Sequence, residues 1–143
     1  MKEIIVNGKT YHVEEMSVRE TLSFHVEVMT TFGSSIGTIF SLAIHSSKGE
    51  EYDVADSMSA AFGKIEPTKC DKIIDKILSR TITPTNEYLR DPRVLQEWFS
   101  ANPQDLWIVI TKALIALVGE YFPTSILKDV ESIKMKTSSK TSK

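Results

Sequence analysis

Gly33-Ser34-Ser35-Ile36-Gly37 carries the letters of the Gly-x-Ser-x-Gly nucleophile elbow. That elbow lifts a serine hydroxyl on a sharp strand-to-helix turn above a doubly wound sheet, where it can attack an acyl carbon. Here the residues before it repeat at helical spacing and no parallel sheet is visible, so the five residues read as a helix break. His12, His25 and His45 fall one per element. None has a second ligand at helical metal-binding spacing. Cys70 shares a stripe with Ile73 and Ile74 and reads as a small core hydrophobe. Glu14-Glu15 and Glu50-Glu51 are adjacent pairs whose side chains point in different directions, unlike the paired carboxylates of an acid–base site. No glycine loop suited to a phosphate is present. We therefore expect no catalytic residue, no metal, no cofactor and no enzymatic activity.

The composition agrees with a protein that works by contact. The 143 residues suit one domain and a core that needs no staple. Lys plus Arg number 17 and Asp plus Glu 19, a net charge of −2, which gives no general reason to expect nucleic acid. One cysteine cannot form a disulfide within the chain. The opening "MKEIIVNGKT" lacks the long apolar run of a signal peptide.

The elements that would build such a contact surface are mostly helices. "EIIV" and "KTYHV" flank Asn7-Gly8, a two-residue hairpin signal because both turn positions need positive φ. Ser17 and Glu20 form a capping box, and Val18, Leu22, His25 and Met29 follow as a helical stripe. Further stripes are Ile36, Ile39, Phe40, Ala43 and Ile44, then Val54, Met58, Ala61, Phe62 and Ile65, then Cys70, Ile73, Ile74, Ile77 and Leu78. "RTITPTNEYLR" reads as a connector. Asp91-Pro92 and Asn102-Pro103 each place an N-cap residue before a proline, starting two helices joined by a tight turn. Asp105 lies in the first turn of the second, where its charge suits the helix dipole. Ile126, Leu127, Val130 and Ile133 could line one more short helix, and "MKTSSKTSK" reads as a disordered basic tail. The expected fold is mainly α. It is a small bundle of five to seven helices preceded by a short N-terminal β-hairpin, with no parallel sheet. The expected division is hairpin 1–14, helical domain 15–134 and tail 135–143.

The late helix is the most unusual segment. Leu106 to Val118 is too short to cross a membrane, which takes about 20 apolar residues. Wound as a helix, Asp105, Val109, Lys112, Ala116, Gly119 and Glu120 gather on one narrow side, and apolar residues fill an arc of about 220°. A surface helix needs an apolar stripe only somewhat over 100° wide. The helix is therefore either central in its own bundle or covered by a partner. Two sub-stripes divide the arc: Trp107, Ile108, Ile115 and Phe122, and Leu106, Ile110, Leu117 and Tyr121. The first, with Trp98 and Phe99 beside it, is the candidate partner surface, because aromatic residues anchor interfaces. The small hairpin and the over-apolar helix together predict a homo-oligomer.

The hairpin opening into "MSVRE", the helical middle and "EYLRDPRVLQEWFSANPQDLWIVITKALIALVGEYFP" together resemble the tail assembly chaperones of long-tailed bacteriophages. The resemblance is strongest over residues 87–123. It implies a mainly α-helical protein of the host cell cytoplasm that binds the tape-measure protein and keeps it soluble while tube subunits polymerise around it. The tail tube protein is then a second potential partner, and neither nucleic acid nor membrane is one. Many members also occur in a longer, frameshifted form. Without the resemblance, a small regulatory adaptor that sequesters a host or phage partner fits the same residues.

Overall fold

The computed structural model describes residues 1–33, 36, 37, 39 and 51–119. Strand β1 (Lys2–Val6) and strand β2 (Lys9–Val13) form the hairpin. Helix α1 (Val18–Phe32) follows, then α2 (Glu51–Gly63) and α3 (Pro67–Leu78). A two-residue strand β3 (Thr81–Ile82) leads to α4 (Pro92–Ala101). A single 3-10 turn, Pro103–Asp105, opens into α5 (Leu106–Val118). The fold is mainly α with an N-terminal antiparallel hairpin, as the sequence predicts.

The hairpin turn takes the form its residues dictate. Asn7 has φ 49° and Gly8 φ 79°, the left-handed pair that Asn-Gly tolerates. Val6 pairs with Lys9 and Lys2 with Val13. The connector is more ordered than its proline suggests. Thr81 and Ile82 pair antiparallel with Val13 and His12, which extends the hairpin to a three-stranded sheet ordered β1-β2-β3. Backbone hydrogen bonds from Glu14 to the Arg80 carbonyl and from Leu89 to the Thr81 carbonyl fix the connector on both sides. A pairing of two residues leaves no alternating pattern long enough to read from sequence.

Helix α1 begins at the capping box. The Glu20 backbone N–H donates to Ser17 Oγ at 3.2 Å, and the Ser17 N–H donates to Glu20 Oε1 at 3.4 Å. We expect Ser17→Ala to cost about 1 kcal/mol, seen as a lower midpoint in urea. Gly33, at φ 64°, ends the helix by donating its N–H to the Met29 carbonyl. This supports the helix-break reading of Gly33–Gly37; Ser34 and Ser35 themselves lie outside the described residues.

The buried face of α1 differs from the expected stripe. Thr21, Phe24, Val28 and Phe32 point inward, whereas Val18 and Leu22 are exposed and His25 and Met29 half-buried. The helix carries apolar residues on two sides. The side bearing Phe24 and Phe32 offers more area to bury, so it faces the core. The other stripes hold. Val54, Met58 and Phe62 are buried on α2, and Ile73, Ile77 and Leu78 on α3, with Cys70 and Ile74 half-buried. Ile36 and Ile39 are buried; Phe40, Ala43 and Ile44 lie outside the described residues, as do His45, Glu120–Phe122, the segment 126–133 and the basic tail.

Helix α5 is the centre of this packing. It contacts α1, α2, α3, β1 and β2. Ile108, Val109, Ile110, Ala113, Leu114, Leu117 and Val118 are all buried. Of the two possibilities open for this helix, the first holds over Leu106–Val118: its wide apolar arc is wrapped by the chain's own elements.

Candidate functional site

The narrow, more polar side of α5 faces the hairpin. Asp105 is fully buried there. Asn7 Nδ2 donates to Asp105 Oδ1 at 2.7 Å. Lys9 Nζ and Tyr11 Oη donate to Oδ2 at 3.1 and 2.8 Å. Trp98 Nε1 in turn donates to Tyr11 Oη at 2.9 Å, and the two rings meet edge to face with centroids 6.0 Å apart. Further along, Lys112 Nζ donates to the Ile5 carbonyl at 2.6 Å and Lys2 Nζ to the Ala116 carbonyl at 2.8 Å. Tyr52 Oη of α2 donates to Asn7 Oδ1 at 3.2 Å. Beneath this seam Ile4, Val6, Tyr11 and Val13 are buried.

The sequence reading put Asp105 at a helix N-terminus to serve the dipole. Its carboxylate instead accepts from three hairpin side chains, which lie more than 90 positions away in sequence. Asn102 also departs from its expected role. Both its backbone N–H and its Nδ2 donate to the Trp98 carbonyl, so it closes α4 rather than capping α5. Asp91 does cap α4, accepting from the Arg93 N–H at 2.9 Å.

This cluster makes stability depend on pH at both ends of the scale. Burial pushes the Asp105 carboxyl up, but the hydrogen bonds from Asn7, Tyr11 and Lys9 and the Lys9 charge outweigh it, so the group sits below its ordinary value. A depressed carboxyl stabilises the fold above its unfolded value, roughly 3.9, and that contribution disappears as pH falls through the folded value. Burial and the bond to Asp105 hold the Tyr11 phenol above its ordinary value, against the opposing bond from Trp98. A raised phenol stabilises the fold below its unfolded value, about 10, and that contribution is lost as pH climbs toward the folded value. Thermal melts should therefore fall below about pH 4 and again above about pH 10. Tyr11→Phe should remove its part of the alkaline loss.

The candidate partner residues divide by burial. Ile108 is only 2 % exposed and Phe99 9 %, both in the core. Trp98, Trp107 and Ile115 are half-buried and pack against its edge. The Trp107 ring lies 5.5 Å from that of Phe62, which meets Phe32 at 4.9 Å. Phe122 lies outside the described residues. Of the other sub-stripe, Ile110 and Leu117 are buried and Leu106 is half-buried, while Tyr121 lies outside the described residues.

A groove of about 450 Å³ runs between α1 and α3, lined by Met16, Arg19, Glu20, Ser23, Phe24, Lys76, Ser79 and Arg80. Two of its cations are already engaged: Arg80 by Glu20 at 2.7 Å and Lys76 by Glu27 at 2.5 Å. Burial, then the nearby Asp71 charge, raises the Cys70 thiol above its ordinary value, which disfavours the reactive thiolate. Among the described residues no group of three His, Cys, Asp or Glu side chains could hold a metal ion, and no helix is long and apolar enough to cross a membrane.

A central apolar helix clasped by a hairpin, within a small helical bundle, describes a protein organised around packing surfaces. A family model described as phage tail assembly chaperone protein, TAC, matches residues 7–128, from the hairpin turn to beyond α5. The chain belongs to the phage tail assembly chaperone family. No curated protein and no solved structure matches the chain.

Proposed function

We propose that this protein binds the tape-measure protein of its phage in the host cytoplasm and keeps it soluble during tail assembly, without catalysing a reaction. The observation that carries this reading is the family match over residues 7–128, from the hairpin turn through α5. A tape-measure protein is long and helical, and such a client would dock apolar positions of its helices onto an apolar face. The half-buried residues Trp98, Trp107 and Ile115 are the part of the candidate surface still partly open for that role. The buried Phe99 and Ile108 would support it from below.

The test is co-expression with the long helical tape-measure protein of the same phage, followed by pull-down and an alanine scan read also by thermal melting. Trp107→Ala and Ile115→Ala should weaken capture by about 2 kcal/mol for an anchor, more than their lost stability explains. Ile108→Ala should mainly lower the melting temperature. If capture and melting fall in proportion at every position, this face is core only and does not bind the client. If the long helical protein is never captured, the tape-measure reading fails.

A further inference from the structure

The groove between α1 and α3 holds hydrogen-bond donors for which the fold supplies no acceptor. Three cations, Arg19, Lys76 and Arg80, line it with one acid, Glu20. Both oxygens of Glu20 are taken: Oε1 accepts from the Ser17 N–H and Oε2 from Arg80. Glu27 pairs with Lys76. The cation left over is Arg19. It makes no hydrogen bond or ion pair among the described residues, and neither does the Ser23 hydroxyl one turn further on. Four residues apart, the two share one side of α1, and both line the groove.

Arg19 gives the fold no support. It stands exposed in the first turn of α1, where a cation opposes the helix dipole. A residue that weakens its own helix and satisfies no neighbour breaks a local rule, and such breaks are expected where a surface binds something.

We propose that this groove binds a carboxylate-bearing segment of a partner protein, with Arg19 and Ser23 as its open donors and Arg80 fixed beside them. The donors set the chemistry. A guanidinium has no acceptor, so its ligand must accept, and a carboxylate does so through two parallel bonds. The Arg80 guanidinium is already held by the Glu15 carbonyl at 3.0 Å and by Glu20 at 2.7 Å, so binding need not order it. The base of the groove sets the kind of ligand. It is apolar, with the Phe24 ring, the half-buried Met16 and Lys76 Nζ 5.8 Å from the ring centre. A free anion would leave that base bare and remain in water, where its attraction to Arg19 is screened. A peptide covers the base with its own apolar atoms and excludes water from the ion pair. A nucleic-acid backbone fits less well, because Glu20 and Glu27 stand between the cations and repel a continuous row of phosphates. The groove shares no residue with Trp98, Trp107 and Ile115, so the two surfaces are independent.

Heteronuclear NMR of the full chain, titrated with a capped peptide of alternating leucine and glutamate, tests this. At millimolar concentration the peptide should shift the side-chain Nε–H signals of Arg19 and Arg80 and the amide of Ser23. The matching leucine–glutamine peptide should not. Arg19→Ala should weaken binding roughly three- to tenfold, the range for a charge-assisted bond at a partly open site. Raising salt from about 50 to 500 mM should weaken it as well. The melting temperature of Arg19→Ala should stay level or rise slightly, because no bond is lost, so its weaker binding cannot reflect unfolding. Equal shifts with the glutamine peptide overturn the proposal, as does the absence of any shift or an Arg19→Ala variant that binds unchanged. Inorganic phosphate that binds as tightly as the peptide overturns it in favour of a free-anion site, and duplex DNA that binds more tightly does so in favour of nucleic acid.

Discussion

Asp105→Ala should lower stability by roughly 3 kcal/mol, the lower end of what removing one member of a buried charged pair costs. The substitution removes the acceptor for Asn7, Lys9 and Tyr11 at once. The Lys9 side chain is 31 % exposed and can turn to water, which limits the loss. Tyr11 cannot, because it is fully buried. A buried donor left without an acceptor costs about 1–3 kcal/mol by itself. With a urea slope near 2 kcal/mol/M, the midpoint should fall by roughly 1.5 M. Asp105→Asn keeps the volume and one acceptor oxygen, so it should cost less. Equal losses for the two variants would show that packing, and not the carboxylate, holds the hairpin.

Leu114→Ala should destabilise by about 3 kcal/mol, and Ile110→Ala by a similar amount. Both side chains lie within α5, which elements on several sides cover, so little can collapse into the void. The paired control is Leu22→Ala, which should stay within about 0.5 kcal/mol because the side chain is half exposed. The contrast matters because sequence alone assigns Leu22 to a core stripe. If Leu22→Ala cost as much as Leu114→Ala, the burial of α1 would be the reverse of that described.

These two comparisons mark how much the chain announces about itself. The stripe on α3 and the Asn-Gly turn were readable because each rests on neighbours within a few residues. The helicity of α1 was readable too, but not its orientation. Periodicity detects an amphipathic helix, and α1 offers two apolar rows, between which only the tertiary packing of Phe24 and Phe32 decides. The acceptor role of Asp105 depends on donors at positions 7, 9 and 11, which no local pattern links to it. The width of the α5 arc correctly singled out a helix needing cover on nearly every side. It could not reveal that the hairpin covers the polar side, leaving Trp98, Trp107 and Ile115 at the edge of the core.

The clasp between the hairpin and α5 also sets a schedule for synthesis. Residues 2–13 leave the ribosome well before Asp105, yet their buried faces have no seat until Asp105 and the helix after it are made. At 5–20 residues per second, the gap between residues 13 and 105 lasts roughly 5–20 s. A lone hairpin is marginal in water, so Ile4, Val6, Tyr11 and Val13 spend that interval largely unprotected. A chaperone with this fold is itself, for those seconds, a nascent chain with unburied apolar residues.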